Sequence, residues 1–240
     1  MSDLLATGTR DVPAPRGLPE SGLTLLRPLA QRHIRRRWTL ETVGAHHVPE
    51  SGPVILAANH IGWLDGPLLI VCAPRPAHAL VKSEAFVGRT GRLLRFAGQL
   101  PLHRERQDTG AMRRAADALA AGQAVAVYPE GQRGDGELRE VRPGVAWLAL
   151  VSGAPVVPVA IFGTREPGAG AESRPPRGSR LDVVYGRPLQ LAARPWPRTT
   201  TAVAEAADQV HAHLLAHLDH ARRSTGRTLP GPLPEGATDV

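Results

Sequence analysis

Residues 54–67 read Val54-Ile55-Leu56-Ala57-Ala58-Asn59-His60-Ile61-Gly62-Trp63-Leu64-Asp65-Gly66-Pro67, and their order decides the fold. Five apolar residues in a row, bounded by Pro53 and Asn59, have the length of a strand buried on both faces. Gly62 permits a tight turn, while Gly66 and Pro67 suit the start of a helix. A buried strand that turns directly into a helix is the repeating unit of a parallel α/β sheet. His60 leaves the strand at its end, where such sheets usually present functional groups.

The pattern continues outward from this segment. Strands are expected at Leu40 to Ala45, Val54 to Ala58, Ala77 to Val81, Gln99 to His103, Ala124 to Tyr128, Val156 to Phe162 and Leu181 to Tyr185. Helices are expected between them, at Pro67 to Ala73, Ala85 to Ala97, Thr109 to Ala121, Gly144 to Ser152 and Thr200 to Arg222. The alternation predicts an α/β domain with a mostly parallel central sheet flanked by helices on both faces. Pro158, which cannot donate to a ladder, predicts an edge or a bulge in its strand. Ahead of the sheet, Leu26, Leu29, Ala30 and Ile34 recur at helical spacing among Arg27, Arg32, Arg35 and Arg36, which predicts a short basic amphipathic helix starting near Pro28. Glu166 to Ser179, rich in Gly and Pro, reads as a surface loop. The chain divides into a disordered leader at 1–20, a single domain at 21–224 and a disordered tail at 225–240.

Composition limits what such a domain can bind. The 29 basic residues exceed the 22 acidic ones, and Lys82 is the only lysine, so arginine dominates. Anionic partners follow: phosphate groups, a nucleotide carrier or a negative membrane surface. An aromatic share of 4% leaves too few rings for a stacking platform, and nucleic acid is not expected as a partner. Cys72 is the single cysteine, which excludes an intrachain disulfide and fits a reducing compartment. The longest apolar runs fall far short of the roughly 20 residues of a membrane-spanning helix. His213, His217 and His220 share a helical face, but Leu214, Leu215 and Leu218 mark the apolar side of that helix, so the histidines read as its solvated side and no metal site is expected.

His60 and Asp65 carry the first candidate chemistry. On a regular helix they would stand about 140° apart and share no face, but the turn at Gly62 can fold Asp65 back toward the imidazole. A carboxylate on one ring nitrogen fixes the tautomer and leaves the other able to take a proton. The same two residues read equally as an ordinary helix cap and a loop histidine. A second segment, Gly98 to Arg104, delivers Arg104 at a strand end; a third, Tyr128-Pro129-Glu130-Gly131-Gln132-Arg133-Gly134, delivers Glu130, Gly131 and Arg133 in a glycine turn. Arg104 and Arg133 can grip a phosphate through charge-assisted hydrogen bonds, with a glycine amide approaching closely. A fourth segment, Ala154 to Ile161, is apolar and chemically silent.

In this order and at these separations the four segments resemble the 1-acylglycerol-3-phosphate (lysophosphatidic acid) acyltransferase family, whose hallmark is a histidine and an aspartate with four residues between. The resemblance runs from about Leu26 to Tyr185. Asn59, His60 and Asp65 match the first block and Arg104 the basic end of the second. Glu130, Gly131 and Arg133 match the third, followed by Arg142-Pro143-Gly144, and Pro158 matches the fourth. Gln132 stands where threonine is usual, Gly134 where serine is usual, and His103 where an aspartate commonly precedes the arginine. The resemblance implies a glycerolipid-acyltransferase-like fold, with His60 and Asp65 catalytic and Arg104, Glu130, Gly131 and Arg133 binding substrate. It implies transfer from acyl-coenzyme A or acyl carrier protein to lysophosphatidic acid (1-acylglycerol 3-phosphate), giving phosphatidic acid with no metal or other cofactor. The same chemistry on glycerol 3-phosphate, another lysophospholipid or a glycolipid is the alternative, and a non-catalytic basic protein that binds a membrane surface is a more distant one. The basic helix, with Trp38 at its end, would then dock the protein peripherally on the cytoplasmic face of an anionic cell membrane.

Overall fold

The computed structural model describes residues 17–104, 108–194 and 199–236. Seven strands form one sheet: β1 (Thr39–Val43), β2 (Val54–Ala58), β3 (Ala77–Lys82), β4 (Leu100–Leu102), β5 (Ala124–Val127), β6 (Val156–Phe162) and β7 (Arg180–Tyr185). Their order is β1-β7-β6-β2-β5-β3-β4. The β6–β7 pair is antiparallel and every other neighbour pair is parallel, which gives the mostly parallel sheet that the sequence predicts. The helices are α1 (Ser21–Arg37), α2 (Asp65–Val71), α3 (Gly88–Phe96), α4 (Thr109–Ala120), α5 (Gly144–Ser152) and α6 (Thr200–Thr225).

Successive side chains of β2 enter opposite cores, as the two-residue period of a strand requires. Ile55 and Ala57 join the layer formed by α4, α5 and α6, while Val54, Leu56 and Ala58 join the layer formed with α1 and α2. Capping fixes two helix starts: Asp108 accepts from the Ala111 amide at 2.9 Å and Thr199 from the Ala202 amide at 3.1 Å.

Pro158 lies in an interior strand rather than at an edge, with β7 on one side and β2 on the other. The β6–β7 ladder begins one residue later, at Val159 opposite Tyr185, and the Pro158 carbonyl accepts from the Gly186 amide at 2.8 Å. The missing donor therefore falls where β7 has already ended. The first helix starts at Ser21, well before Pro28, which sits inside it and removes one ladder bond. Docking offsets that loss. Leu23 and Ile34 are buried, the Arg27 side chain donates to the Val71 and Ala73 carbonyls, and Gln31 donates to Val71 O at 2.8 Å.

Trp38 is buried and donates Nε1 to Pro175 O, so it is a core residue instead of an interfacial anchor. His217 is also buried, with Nε2 on the Val184 carbonyl at 2.9 Å; the absence of a side chain at Gly186 makes room for its ring. His213 uses Nε2 on Arg187 O. Both segments expected to be disordered contribute ordered residues. Gln123 brackets Leu18 through both its backbone N–H and C=O, while Leu229 packs on the α4–α6 core and Gly231 O accepts from Arg165. Residues 1–16 of the leader and 237–240 of the tail lie outside the described residues.

At Gly22 an added methyl would meet the Phe96 carbonyl oxygen at 1.9 Å. Helix propensity alone favours Gly→Ala by about 1 kcal/mol, but overpacking against backbone typically costs about 1–3 kcal/mol. Gly22→Ala is expected to lower the urea midpoint; a midpoint at or above the parent's would show that α1 shifts freely against α3.

Candidate active site

The site collects along the edge of the sheet where β2, β5, β4 and β6 end. Asn59 continues β2 by one step: its amide donates to Ile161 O at 3.1 Å and accepts from Ile161 N at 2.7 Å, tying the strand end to β6. The chain then turns sharply, and Asp65 folds back onto His60 with Oδ2 2.8 Å from Nδ1. The same oxygen accepts from the Ile61 and Gly62 amides at 2.7 and 2.8 Å. Oδ1 accepts from the Thr164 hydroxyl. Asp65 is the first residue of α2 but does not cap it; its carboxylate is turned back to the turn and the imidazole, so of the two readings of its sequence the structure has the pair and not the cap. Gly62 has to be glycine, because an added methyl would stand 2.9 Å from the Thr164 carbonyl oxygen.

With Asp65 accepting at Nδ1, the imidazole carries its proton there, and Nε2 is the nitrogen left for a ligand. The ring is partly exposed on the wall of a cavity and is stacked on Tyr128, with centroids 3.9 Å apart and planes 17° from parallel. The Tyr128 hydroxyl points into the protein, where burial holds its pKa well above the usual phenol value.

The third segment surrounds this pair. Glu130 accepts from the His60 amide at 2.8 Å, and the His60 carbonyl accepts from the Gly134 amide at 2.9 Å. Glu130 therefore supports the histidine backbone and is not among the residues that line the cavity, whereas Gly131, Arg133 and Arg104 are. Gly131 has φ +75° and lies under Arg142, whose Nε would be 2.4 Å from an added methyl. Arg104 donates to Gly131 O at 3.3 Å. Arg133 is buried and donates to Ala171 O and to the exposed Glu172 carboxylate, at 3.3 and 2.5 Å. Lys82 completes the cationic wall.

Beyond His60 the cavity becomes apolar. It encloses about 880 Å³ between α1, α2 and α3, with Leu26, Ile70, Val81 and Leu94 among its walls. That volume lies in the range of small-molecule sites, and its make-up, an apolar body with convergent polar groups at one end, suits an amphipathic ligand. Cys72 offers no rival nucleophile, since burial pushes its thiol up to about 11. Among the described residues no group of three His, Cys, Asp or Glu side chains is placed to hold a metal.

The family model described as Acyltransferase matches residues 39–162, from the first residue of β1 to the last of β6. The chain belongs to the acyltransferase family. An uncharacterised Mycobacterium tuberculosis protein is 32% identical over 165 residues, covering 62% of this acyltransferase chain and 44% of that protein. Lyso-ornithine lipid O-acyltransferase of Pseudomonas aeruginosa is 33% identical over 158 residues, 62% of this chain and 59% of its own. Human 1-acyl-sn-glycerol-3-phosphate acyltransferase beta is 32% identical over 116 residues, 46% of this chain and 41% of its own. The chain thus spans about half the length of the curated relatives it matches. The crystal structure of the 1-acyl-sn-glycerophosphate acyltransferase PlsC from Thermotoga maritima has the same fold, with a TM-score of 0.62 at 19% identity, covering 83% of this chain and 79% of that one.

Sequence reasoning missed Thr164 and Arg165, which follow directly on the fourth segment, and Glu172 in the Gly- and Pro-rich loop. For Thr164 and Arg165 the one signal is position just past the end of β6. It also assigned Glu130 to substrate, although burial and its backbone donors define it.

Burial pushes the Glu130 carboxyl up to about 7 from its ordinary 4.5, against the pull of the His60 and Leu138 amides. Below pH 4.5 the group is protonated in both folded and unfolded chains and contributes nothing. Between 4.5 and about 7 the unfolded chain loses a proton that the native one keeps, so stability falls as pH rises, by about 3 kcal/mol in all. Glu130→Gln keeps an acceptor for the His60 amide without a titratable group. Urea unfolding from pH 4 to 8 is expected to show the variant gaining on the parent across that window; parallel curves would mean that Glu130 ionises normally.

Proposed function

We propose that this chain transfers a fatty acyl group from a thioester donor, acyl-coenzyme A or acyl carrier protein, to the free hydroxyl of 1-acylglycerol 3-phosphate, with His60 as general base. The observation that carries this reading is the imidazole itself: one nitrogen is tied to buried Asp65 and the ring lies at the junction of an apolar cavity and a cationic wall. As the acceptor oxygen attacks the thioester carbonyl, Nε2 takes its proton. The C–S bond then breaks, and the departing thiolate takes the proton back from the imidazolium, leaving a free thiol and a new ester. No covalent enzyme intermediate is needed. The cavity fits the acyl chain, and Arg104 and Arg133 fit the acceptor's phosphate. Glu172 supports the second assignment, because its carboxylate already occupies Arg133 as an anion would.

The Arg133–Glu172 pair also favours a second acceptor class, lysolipids that carry a carboxylate. The Pseudomonas aeruginosa relative is named for such an acceptor, a lyso-ornithine lipid.

The acceptor reaches the site from a membrane in this reading. No helix among the described residues is long and apolar enough to cross one. The N-terminal helix and α3 both border the cavity, both lack acidic residues, and together they expose Leu25, Leu29, Val87, Leu93 and Phe96 beside Arg32, Arg35, Arg36, Arg89 and Arg92. Ile34, Trp38 and Arg27 are used inside the domain, so the docking surface is narrower on α1 than its sequence suggests and extends across α3. It suits the cytoplasmic face of an anionic cell membrane.

Purified protein assayed with acyl-coenzyme A against lysophosphatidic acid, lyso-ornithine lipid and glycerol 3-phosphate tests the chemistry. His60→Ala is expected to lose at least about 10²-fold in rate while remaining folded. Arg104→Ala and Arg133→Ala should each raise the acceptor KM by about 10- to 150-fold, the worth of one charge-assisted hydrogen bond, with little change for the donor. Near-normal turnover by His60→Ala would remove it from the mechanism, and a defect confined to the donor would reassign the arginines.

Vesicle co-sedimentation tests the docking surface. Each exposed arginine near an anionic surface is worth about 1 kcal/mol, and salt screens the attraction. Binding should require anionic lipid, weaken with salt, and fall when Arg35, Arg36, Arg89 and Arg92 are all changed to Gln. Unchanged sedimentation of that variant would move the contact elsewhere.

A further inference from the structure

The His60–Asp65 pair is oriented from outside its own turn. Asp65 has no solvent exposure, and its Oδ2 is saturated by three donors: His60 Nδ1 and the amides of Ile61 and Gly62. Its Oδ1 is bonded by the hydroxyl of Thr164, which is likewise unexposed, so water cannot substitute for that hydroxyl. Thr164 is 99 residues from Asp65 in sequence and stands two residues past the end of β6.

The turn that carries Thr164 is itself fastened to the catalytic turn. Arg165 is 2% exposed, and its guanidinium donates only to backbone carbonyls: Nε to Ile61 at 2.7 Å, Nη1 to Ala169 at 3.0 Å, and Nη2 to Gly134 at 2.9 Å and to Gly231. Ile61 is thereby held from both sides, its N–H on Asp65 and its C=O on Arg165. Gly134 is likewise shared, its C=O on Arg165 and its N–H on the His60 carbonyl. A planar fork of donors suits this geometry, since a single guanidinium spans several acceptors in fixed directions.

We propose that Thr164 is a positioning residue for the His60–Asp65 pair: its hydroxyl sets the rotation of the Asp65 carboxylate, and Arg165 holds the Thr164 turn in register with the catalytic turn. Without the hydroxyl, Oδ1 is a buried charged oxygen with no donor, and the carboxylate is free to rotate away from the direction that His60 Nδ1 needs. The consequence for rate rests on the acyl-transfer reading above; the consequence for the hydrogen bond does not.

The test uses Thr164→Val, which keeps the shape and removes the hydroxyl, and Thr164→Ser, which restores it. Proton NMR reports the His60 Nδ1–H directly as a downfield imidazole resonance, assigned by its loss in His60→Ala. In Thr164→Val that resonance is expected to shift or broaden away, and in Thr164→Ser to return to the parent position. In the acyl-transfer assay Thr164→Val should lose about 10- to 150-fold in kcat, the worth of one hydrogen bond to a charged group, with both KM values unchanged. A parent-like resonance in Thr164→Val overturns the proposal whatever the rate does. So does a parent-like kcat, or a change confined to KM. A parent chain that transfers no acyl group but whose resonance still answers to Thr164 refutes the acyl-transfer reading and leaves the positioning role standing.

Discussion

A single buried negative charge organises this molecule. Removing a carboxylate from water costs far more than a domain of this size can spare unless both of its oxygens find donors. Asp65 meets that demand with donors from two stretches: its own turn, which supplies the His60 ring and the Ile61 and Gly62 amides, and the loop after β6. The turn at Gly62, the approach of Thr164 and the end of β2 against β6 are thus mutually required. Moving any one of them strands a charge.

The sheet supplies the meeting place. Because β2, β5 and β6 are adjacent and β2 is parallel to both, their carboxyl ends lie together, and the loops that follow them converge without long excursions. The histidine comes from the first, Glu130, Gly131 and Arg133 from the second, and the support for Asp65 from the third. The apolar cavity is assembled on the α1 and α2 side of the sheet, while α4, α5 and α6 close the opposite face with small and branched residues. Reactive groups and greasy space therefore meet at one corner.

Most of this was legible where the signal is local. Five buried residues of β2 and the glycine turns lie within a few positions of the structures they cause, the helices at Thr109 and Thr200 start where expected, and the strands fall within a residue or two of expectation. What escaped depends on partners far along the chain. Trp38 looked interfacial because its acceptor, Pro175 O, lies 137 residues away. His217 looked solvated because the room for its ring is made at Gly186. Pro158 read as an edge or a bulge because sequence does not reveal that β7 stops beside it. Glu130 matched a binding motif, yet its carboxylate is engaged by the His60 amide 70 residues earlier and does not line the cavity. Thr164 and Arg165 had no signal beyond their place after a strand, since a Thr-Arg pair in a glycine-flanked turn is ordinary until its neighbours are known.

The bonds from Arg27 and Gln31 to Val71 and Ala73 join α1 to the far end of α2. Six residues before Val71, about 9 Å along the axis, α2 begins with Asp65. The wall of the cavity and the carboxylate that aims the histidine are therefore the two ends of one short rod. Swinging the N-terminal helix outward would break these bonds at the C-terminal end of the helix that starts at Asp65. α1 is thereby a support of α2 as well as a wall of the cavity.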